Sequence, residues 1–358
     1  MTTINRRSLI KSAGAAALAA PFINRTALGD APLKTAFAYT GPIGDYGFTW
    51  AHEQGRKAMV KAMGGRVTAD YVENVPEDQS AIPIFRDLAR SHDLVFTCSF
   101  GFMDQTIAVA KEFPKVKFEH NTGFKHAPNV ATYNNRFYEG RAALGLISGM
   151  MSKTGIIGYL GSFKIPEIVM GVDSYTLAAQ SINPKIKCKL LMIDTWFDPA
   201  KESAAAETLA NLGCDFITTH TDSPAALQVC EKKKIHGFGQ GADMSRFAPH
   251  AQLTSNLDIW APYYIERAKL TLAGKWTNSD SWWGVKEGTV KLGPYNKSVP
   301  DNVKAASDKL MKGWVDGSYD CFTGPIADQS GKERVAKGVR MSDKELLVLD
   351  WYVKGVEG

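Results

Sequence analysis

The sequence predicts an α/β protein of two lobes, each built on a parallel β-sheet with helices on both faces. Short runs rich in β-branched and aromatic residues alternate with helical stretches of about ten to eighteen residues, as in repeated βαβ units. The chain has 358 residues, more than the roughly 250–300 at which a single hydrophobic core stops growing. Two such sheets therefore fit its length.

Individual elements follow from residue type and spacing. Strands are predicted where short apolar runs are bounded by turn residues, at 34–40, 66–74, 94–100, 117–121, 130–134, 155–161, 188–195, 216–220, 235–239 and 252–256. Helices are predicted where apolar residues recur at helical spacing, at 48–63, 103–113, 137–152, 167–182, 199–212, 223–234, 260–273 and 300–316.

Polar turns after two of the strands mark the predicted boundaries between the lobes. These turns are Tyr133-Asn134-Asn135-Arg136 and Thr254-Ser255-Asn256-Leu257-Asp258. We expect the lobes to be divided as follows: 30–134 with 255–290 in lobe 1, 135–254 in lobe 2, and 291–358 as a C-terminal segment that packs across both.

Residues 1–29 are predicted to be an export signal. Arg6 and Arg7 precede the Ala-rich stretch SAGAAALAAPF, which is typical of the twin-arginine type. This stretch is too short to span a bilayer, which requires about 20 residues, and a Sec signal with two arginines is the alternative. With cleavage near Gly29 and no cysteine before Cys98, we expect an exported, periplasmic protein without a lipid anchor.

The signal also accounts for the basic composition of the chain. The whole sequence has 42 Lys and Arg against 37 Asp and Glu, and four of the basic residues but none of the acids lie within 1–29. The remaining chain is nearly neutral, so it lacks the excess positive charge that attracts nucleic acid or an anionic membrane. We expect a small molecule or another protein as its partner, and no nucleic acid.

The sequence contains no catalytic motif that we could identify. Gly-x-Ser-x-Gly, a Walker loop and His-Glu-x-x-His are absent, and the seven histidines are scattered singly. The glycine-rich run at 237–241 indicates either a close backbone approach to a ligand or a plain turn. We therefore predict no enzyme activity, no cofactor and no metal site.

Aromatic and polar residues follow many of the predicted strands, where strand becomes helix. In an open parallel sheet the crevice beyond the carboxyl ends of the strands binds ligands, so these residues are expected to converge. The candidates are Asp45, Tyr46, Phe48, Phe100, Asn134, Trp196, Phe197, Asp222, Asp243 and Trp260. Their composition predicts a site for a flat, polar small molecule.

The aromatic candidates each have a structural alternative. Phe48 opens a helix, where an apolar residue is commonly part of the core. Trp196 and Phe197 precede Asp198 and Pro199, a natural N-cap and first helical residue, so we expect one ring to face the crevice and the other to pack inward. A base that stacks on such a ring gains about 1–3 kcal/mol.

Asp222 and Asp243 are the candidates for hydrogen bonding to the ligand. Asp222 lies where it could instead cap a helix, whereas Asp243 lies where no clear helix needs a cap, which favours a ligand role. A carboxylate only accepts hydrogen bonds, which suits ring N–H groups, amino groups or sugar hydroxyls. No cluster of basic residues falls at these strand ends, which disfavours phosphorylated ligands.

An ordered series of segments, from GPIGDYGFTWAHEQGRKA through GYLGSFKIPEIVMGV to GFGQGADMSRFAPHAQLTS, resembles the basic membrane protein family of substrate-binding proteins. These proteins are the extracytoplasmic receptors of ABC importers, and the resemblance covers essentially the whole chain after the signal. It implies the fold of type I periplasmic binding proteins, two Rossmann-like lobes joined by a three-stranded hinge. It also implies purine nucleosides as the usual ligands.

The resemblance further implies roles for particular residues. The family's Asp-x-Ser-Phe-Asn loop matches residues 45–49, with Phe48 at the aromatic that stacks on the base, and the acid that holds ribose hydroxyls falls on Asp243. Thr49 replaces the family's asparagine, and Asp258 replaces a lysine that binds the sugar. The DYGFTW loop and the TWFDP turn resemble the branch that takes a free purine base such as adenine.

We therefore predict a monomeric solute-binding protein that closes on a purine and delivers it to an ABC permease. Phe48 and Trp196 are expected to sandwich the ring, Asp222 and Asp243 to bind its N–H edge, and Asp45, Tyr46, Phe100, Asn134 and Trp260 to line the pocket. The alternatives are a purine nucleoside or another flat heterocycle as ligand, a ligand sensor that docks a membrane receptor, and a periplasmic hydrolase.

Overall fold

The computed structural model describes residues 31–44 and 46–358. The predicted signal and Asp45 lie outside the described residues. The strands are β1 Leu33–Tyr39, β2 Val67–Val72, β3 Leu94–Cys98, β4 Lys117–Asn121, β5 Val130–Asn135, β6 Ile156–Gly161, β7 Lys187–Met192, β8 Phe216–Thr219, β9 His236–Gly241, β10 Gln252–Asp258, β11 Asp280–Trp283, β12 Val290–Leu292, β13 Ile326–Ala327, β14 Glu333–Val335 and β15 Val356–Glu357. Every strand predicted from the sequence corresponds to one of β1–β10.

The helices alternate with the strands through most of the chain. They are α1 Phe48–Met63, α2 Ala81–Ser91, α3 Met103–Glu112, α4 Phe137–Met151, α5 Pro166–Ile182, α6 Pro199–Asn211, α7 Ala225–Lys233, α8 Ala261–Leu272, α9 Asp301–Asp316 and α10 Asp343–Leu346. Two of the described helices, α2 and α10, were not predicted. α2 contains Pro83 in its first turn, where a missing N–H breaks no helical hydrogen bond.

Two sheets form the two lobes. Within the described chain, the first sheet has the order β11-β5-β4-β3-β1-β2 with every pairing parallel, and the second has the order β12-β10-β9-β8-β6-β7-β15. The second sheet is parallel except where β12 runs antiparallel to β10. The predicted α/β fold with two parallel-sheet lobes is confirmed.

The strands are buried because helices cover both faces of each sheet. β3 reads LVFTC and is buried at every position, the pattern expected of a parallel strand between two helical layers. Neighbouring strands place Phe37 against Phe96 with ring centroids 4.4 Å apart. Such packing makes each lobe a rigid platform for the residues at its strand ends.

Within the described residues, three segments connect the lobes, between β5 and α4, between β10 and α8, and between β11 and β12. Because β10 pairs with β9 as far as Leu257, the second crossing follows Asp258 rather than falling at residue 255. β12 also joins the second sheet. The lobe boundaries therefore differ from the expected ones by a few residues.

Most of the C-terminal segment packs on the second lobe, while Leu347 and Val348 line a cavity together with Gly123 and Phe124 of the first lobe. The indole Nε1 of Trp314 in α9 donates to the backbone oxygen of Glu139 in α4 at 3.1 Å, and β15 extends the second sheet beside β7. The apolar face of α9, with Val303 and Leu310, is buried in the core of that lobe. Asp343 of this segment forms a salt bridge with Arg136, which lies in the connection between β5 and α4.

Candidate functional site

A cavity lies between the two lobes, at the kind of interface where small-molecule sites commonly occur. Its walls come from the carboxyl ends of strands and the first turns of the helices that follow, as the open parallel sheet requires. The lining residues are Thr40, Phe48, Ser99, Phe100, Thr122 and Phe137, and Ile165, Glu167, Trp196, His220, Asp222 and Gln240.

The lobes touch each other beside the cavity, so the structure is closed. A Cβ atom on Gly47 of the first lobe would lie 2.4 Å from the backbone oxygen of Asp222 in the second lobe. A Cβ atom on Gly241, which has a φ of 70°, would lie 3.1 Å from the carbonyl carbon of Gly47. The glycine-rich run at 237–241 therefore serves a close approach of the backbones of the two lobes.

The cavity has an aromatic ring from each lobe. Phe48 begins α1 and is supported from behind by an edge-to-face contact with His52 at 4.3 Å, and His52 in turn stacks on Trp260. Trp196 follows β7 and packs edge-to-face on Phe163 at 5.2 Å. Both rings are half-buried, so each keeps apolar surface available to a ligand.

Asp222 joins the two lobes at the cavity. Its carboxyl Oδ1 accepts a hydrogen bond from the backbone N–H of Phe48 at 3.3 Å, and its own N–H donates to the backbone oxygen of Trp196 at 2.9 Å. The side chain is buried. One residue thus fixes the positions of both aromatic rings relative to each other.

Glu167 brings a second carboxyl to the cavity wall. It lies in the first turn of α5, and its Oε2 accepts a hydrogen bond from Nδ2 of Asn134, in the other lobe, at 3.1 Å. Burial raises the pKa of Glu167 to about 7. His220 lies beside it, with Nδ1 3.0 Å from the hydroxyl of Tyr159, and burial lowers the pKa of this histidine well below its usual value.

A buried polar layer continues behind the cavity. Arg141 is fully buried in α4 and donates from Nη2 to Oε1 of Gln240, which lines the cavity. Asp258, at the end of β10, is also buried, and burial raises its pKa to about 7. The positive charge of Arg141 lowers the pKa values of both Asp258 and Glu167, although burial dominates in each case.

The structure brings Phe48, Phe100, Trp196 and Asp222 together in the cavity wall. Asn134 contributes to the site indirectly, because its side chain donates a hydrogen bond to the carboxyl of Glu167. Among the remaining predicted residues, Trp260, Tyr46, Phe197 and Asp243 lie outside the wall.

Each of these four residues has another environment. Trp260 is buried behind His52. The hydroxyl of Tyr46 accepts a hydrogen bond from Arg246 of the second lobe at 2.6 Å, beside the cavity. Of the two neighbouring rings, Trp196 faces the crevice, but Phe197 is 39% exposed at the surface, so the prediction that the other ring packs inward is wrong.

Asp243 is exposed and belongs to a local turn. Its Oδ1 accepts hydrogen bonds from the N–H of Ser245 at 2.9 Å and from Nε2 of Gln252 at 2.7 Å. An aspartate that bonds to the backbone two residues further on forms a self-contained turn. The structure therefore supplies Glu167, rather than Asp243, as the second carboxyl of the cavity.

Several wall residues were not among the sequence candidates, namely Thr40, Ser99, Thr122, Phe137, Ile165, Glu167, His220 and Gln240. Glu167 follows Pro166 in the turn after β6, so the same rule of strand ends that selected Asp222 applies to it. His220 lies two residues before Asp222 in the turn after β8. Both signals are present in the sequence.

The described part of the chain contains no helix long and apolar enough to cross a membrane. Nor does that part bring together histidine, cysteine and acidic side chains in a group suited to a metal ion.

Two closed lobes around a cavity at their strand ends define a bilobed ligand-binding protein with the type I periplasmic binding fold. A solute-binding protein of an ABC transporter system from Aeropyrum pernix shares this fold, with a TM-score of 0.69 that covers 88% of this chain and 97% of that one at 16% sequence identity.

The family model of PnrA-like ABC transporter substrate-binding proteins matches residues 33–315, and the chain belongs to this family. A purine-binding protein of Brucella abortus is 48% identical over 91% of this chain and 93% of its own length. A Haloferax volcanii protein assigned as an ABC transporter glucose-binding protein is 32% identical over 91% of this chain and 81% of its own length. The predicted family is confirmed.

Proposed function

We propose that this protein captures a purine, adenine or a closely related free base, between its two lobes and delivers it to an ABC permease. The observation that carries the proposal is a closed cavity with an aromatic ring from each lobe, the buried carboxyl of Asp222 and the half-buried carboxyl of Glu167 at its wall. The protein acts as an exported periplasmic monomer, and its role is binding rather than catalysis.

The chemistry of the wall favours a flat, uncharged heterocycle. Phe48 and Trp196 offer faces for stacking, and Asp222, Glu167 and Gln240 offer hydrogen-bonding groups. None of the described residues in the wall is a lysine or arginine, so a phosphate would find no positive charge there. The 48% identity to a purine-binding protein supports a purine among such heterocycles.

A free base fits better than a nucleoside. The family resemblance gave ribose binding to Asp243 and to a lysine, but Asp243 lies in its own turn outside the cavity and Asp258 occupies the lysine position. Asp258 is buried behind the wall and carries the opposite charge. Both sugar contacts implied by the resemblance are therefore missing from the cavity wall.

A thermal-shift panel tests this function. A ligand that binds only the folded protein stabilises it by about 2.7 kcal/mol at 100 times its dissociation constant, which raises the melting temperature by a few degrees. We expect adenine to give such a shift and glucose, amino acids and oligopeptides to give none. A shift with glucose or an amino acid, and none with any purine, would contradict the proposal.

A further inference from the structure

Glu167 is held at the cavity wall in an asymmetric way. One oxygen, Oε2, accepts the N–H of Asn134 at 3.1 Å. The other, Oε1, lies 3.6 Å from Nε2 of His220, which is beyond hydrogen-bond distance. The carboxyl is therefore oriented by a neutral group of the opposite lobe, and Oε1 is left for a ligand.

The charges around Glu167 do not form a close ion pair with it. Among the described residues, no lysine or arginine nitrogen lies within 4.0 Å of its carboxyl. The titratable groups that face it are Arg141 from α4, Tyr159 from β6, His220 after β8 and Asp258 from β10. Burial opposes a negative charge on Glu167 and outweighs the opposite effect of Arg141, and Asp258 is a further buried carboxyl near it.

We propose that Glu167 determines specificity by binding the ligand as a neutral carboxylic acid, which selects a purine edge that places an N–H donor beside a ring-nitrogen acceptor. The acid O–H at Oε1 donates to the ring nitrogen. The carbonyl Oε2 has two lone pairs, so it accepts both the Asn134 N–H and the ligand N–H. Adenine presents this pair on each side of its amino group, with N1 or with N7. The inference rests on the proposed function, since it needs a purine in the cavity.

The neutral acid makes adenine binding depend on pH. An ionised carboxylate has no donor, so the ring nitrogen would face an acceptor and stay unpaired. A group that binds only when protonated is fully competent below its pKa and must take up a proton above it. With the pKa of Glu167 at about 7, the affinity for adenine should fall about tenfold from pH 6 to pH 8.

Calorimetry of adenine binding at these two pH values tests the inference with four proteins. The parent should show the tenfold fall in adenine affinity between pH 6 and pH 8. Glu167→Gln keeps a carbonyl for Asn134 and replaces the O–H with an amide N–H donor, so it should bind adenine within about threefold of the parent at pH 6 and show no fall. Glu167→Ala should bind about tenfold more weakly at pH 6, also without a fall. Asp258→Asn should retain the fall.

Three results would overturn the inference and leave the proposed function standing. The first is equal adenine affinity of the parent at both pH values, and the second is a fall in affinity in Glu167→Gln equal to that of the parent. The third is loss of the fall in affinity in Asp258→Asn alone. The parent profile needs no variant, so the test does not depend on how the variants fold. A parent that binds no purine at either pH would contradict the proposed function as well.

Discussion

Gly47→Ala is expected to weaken adenine binding by about 5- to 150-fold, the equivalent of the 1–3 kcal/mol typical of overpacking. Its new Cβ atom would lie 2.4 Å from the backbone oxygen and 2.6 Å from the Cα atom of Asp222 in the closed protein. Backbone atoms cannot move aside as a flexible side chain does, so the lobes must stay further apart. The loss reflects a smaller population of the closed state, and calorimetry of adenine binding measures it.

The matched control is Gly44→Ala in the same loop, where a Cβ atom would meet nothing within 4 Å. It should bind adenine as the parent does. Since the Gly47 overlap exists only between closed lobes, the ligand-free stability of both variants should stay within about 0.5 kcal/mol of the parent. Equal adenine affinity in Gly47→Ala and Gly44→Ala would show that the lobes do not close as the structure describes.

Trp196→Ala should weaken binding of every purine by a similar factor, about 1–3 kcal/mol, because each base offers the same kind of stacking face. Trp196 lines the cavity and packs on Phe163, whereas the adjacent Phe197 is exposed. Phe197→Ala is therefore the control, and it should leave binding unchanged. Calorimetry with adenine, hypoxanthine and unsubstituted purine provides the comparison.

Two outcomes would count against this division of roles. If Phe197→Ala weakened purine binding as much as Trp196→Ala, the ring that faces the ligand would be misassigned. If Trp196→Ala lowered the affinity for one purine and spared the others, Trp196 would act in selection rather than in stacking.

The sequence predicted the fold well because the signals of the fold are local. Each of β1–β10 is a short apolar run with turn residues at its ends, and the strand-end rule placed Phe48, Phe100, Trp196 and Asp222 at one crevice. The short strands β11–β15 were not predicted, since they contain only two to four residues each and pair with distant parts of the chain.

The polar edge of the site was harder to predict because it depends on tertiary contacts. The spacing around Asp243 gives no sign that its carboxyl would be occupied by Ser245 and Gln252. Glu167 lies in the first turn of a helix, where an acid is common because it complements the helix dipole. The strand-end rule also applies to Glu167, but its contact with Asn134 of the other lobe depends on how β5 and α5 meet in the folded chain.

Mass spectrometry of the ligand that stays bound through native purification tests the central claim most directly. The protein should be expressed in its native organism, purified without denaturation and then unfolded to release the bound ligand. The account predicts a purine base, with adenine as the main species, in the parent and much less of it in Gly47→Ala. Release of a sugar, an amino acid or a peptide, with no purine present, would contradict it.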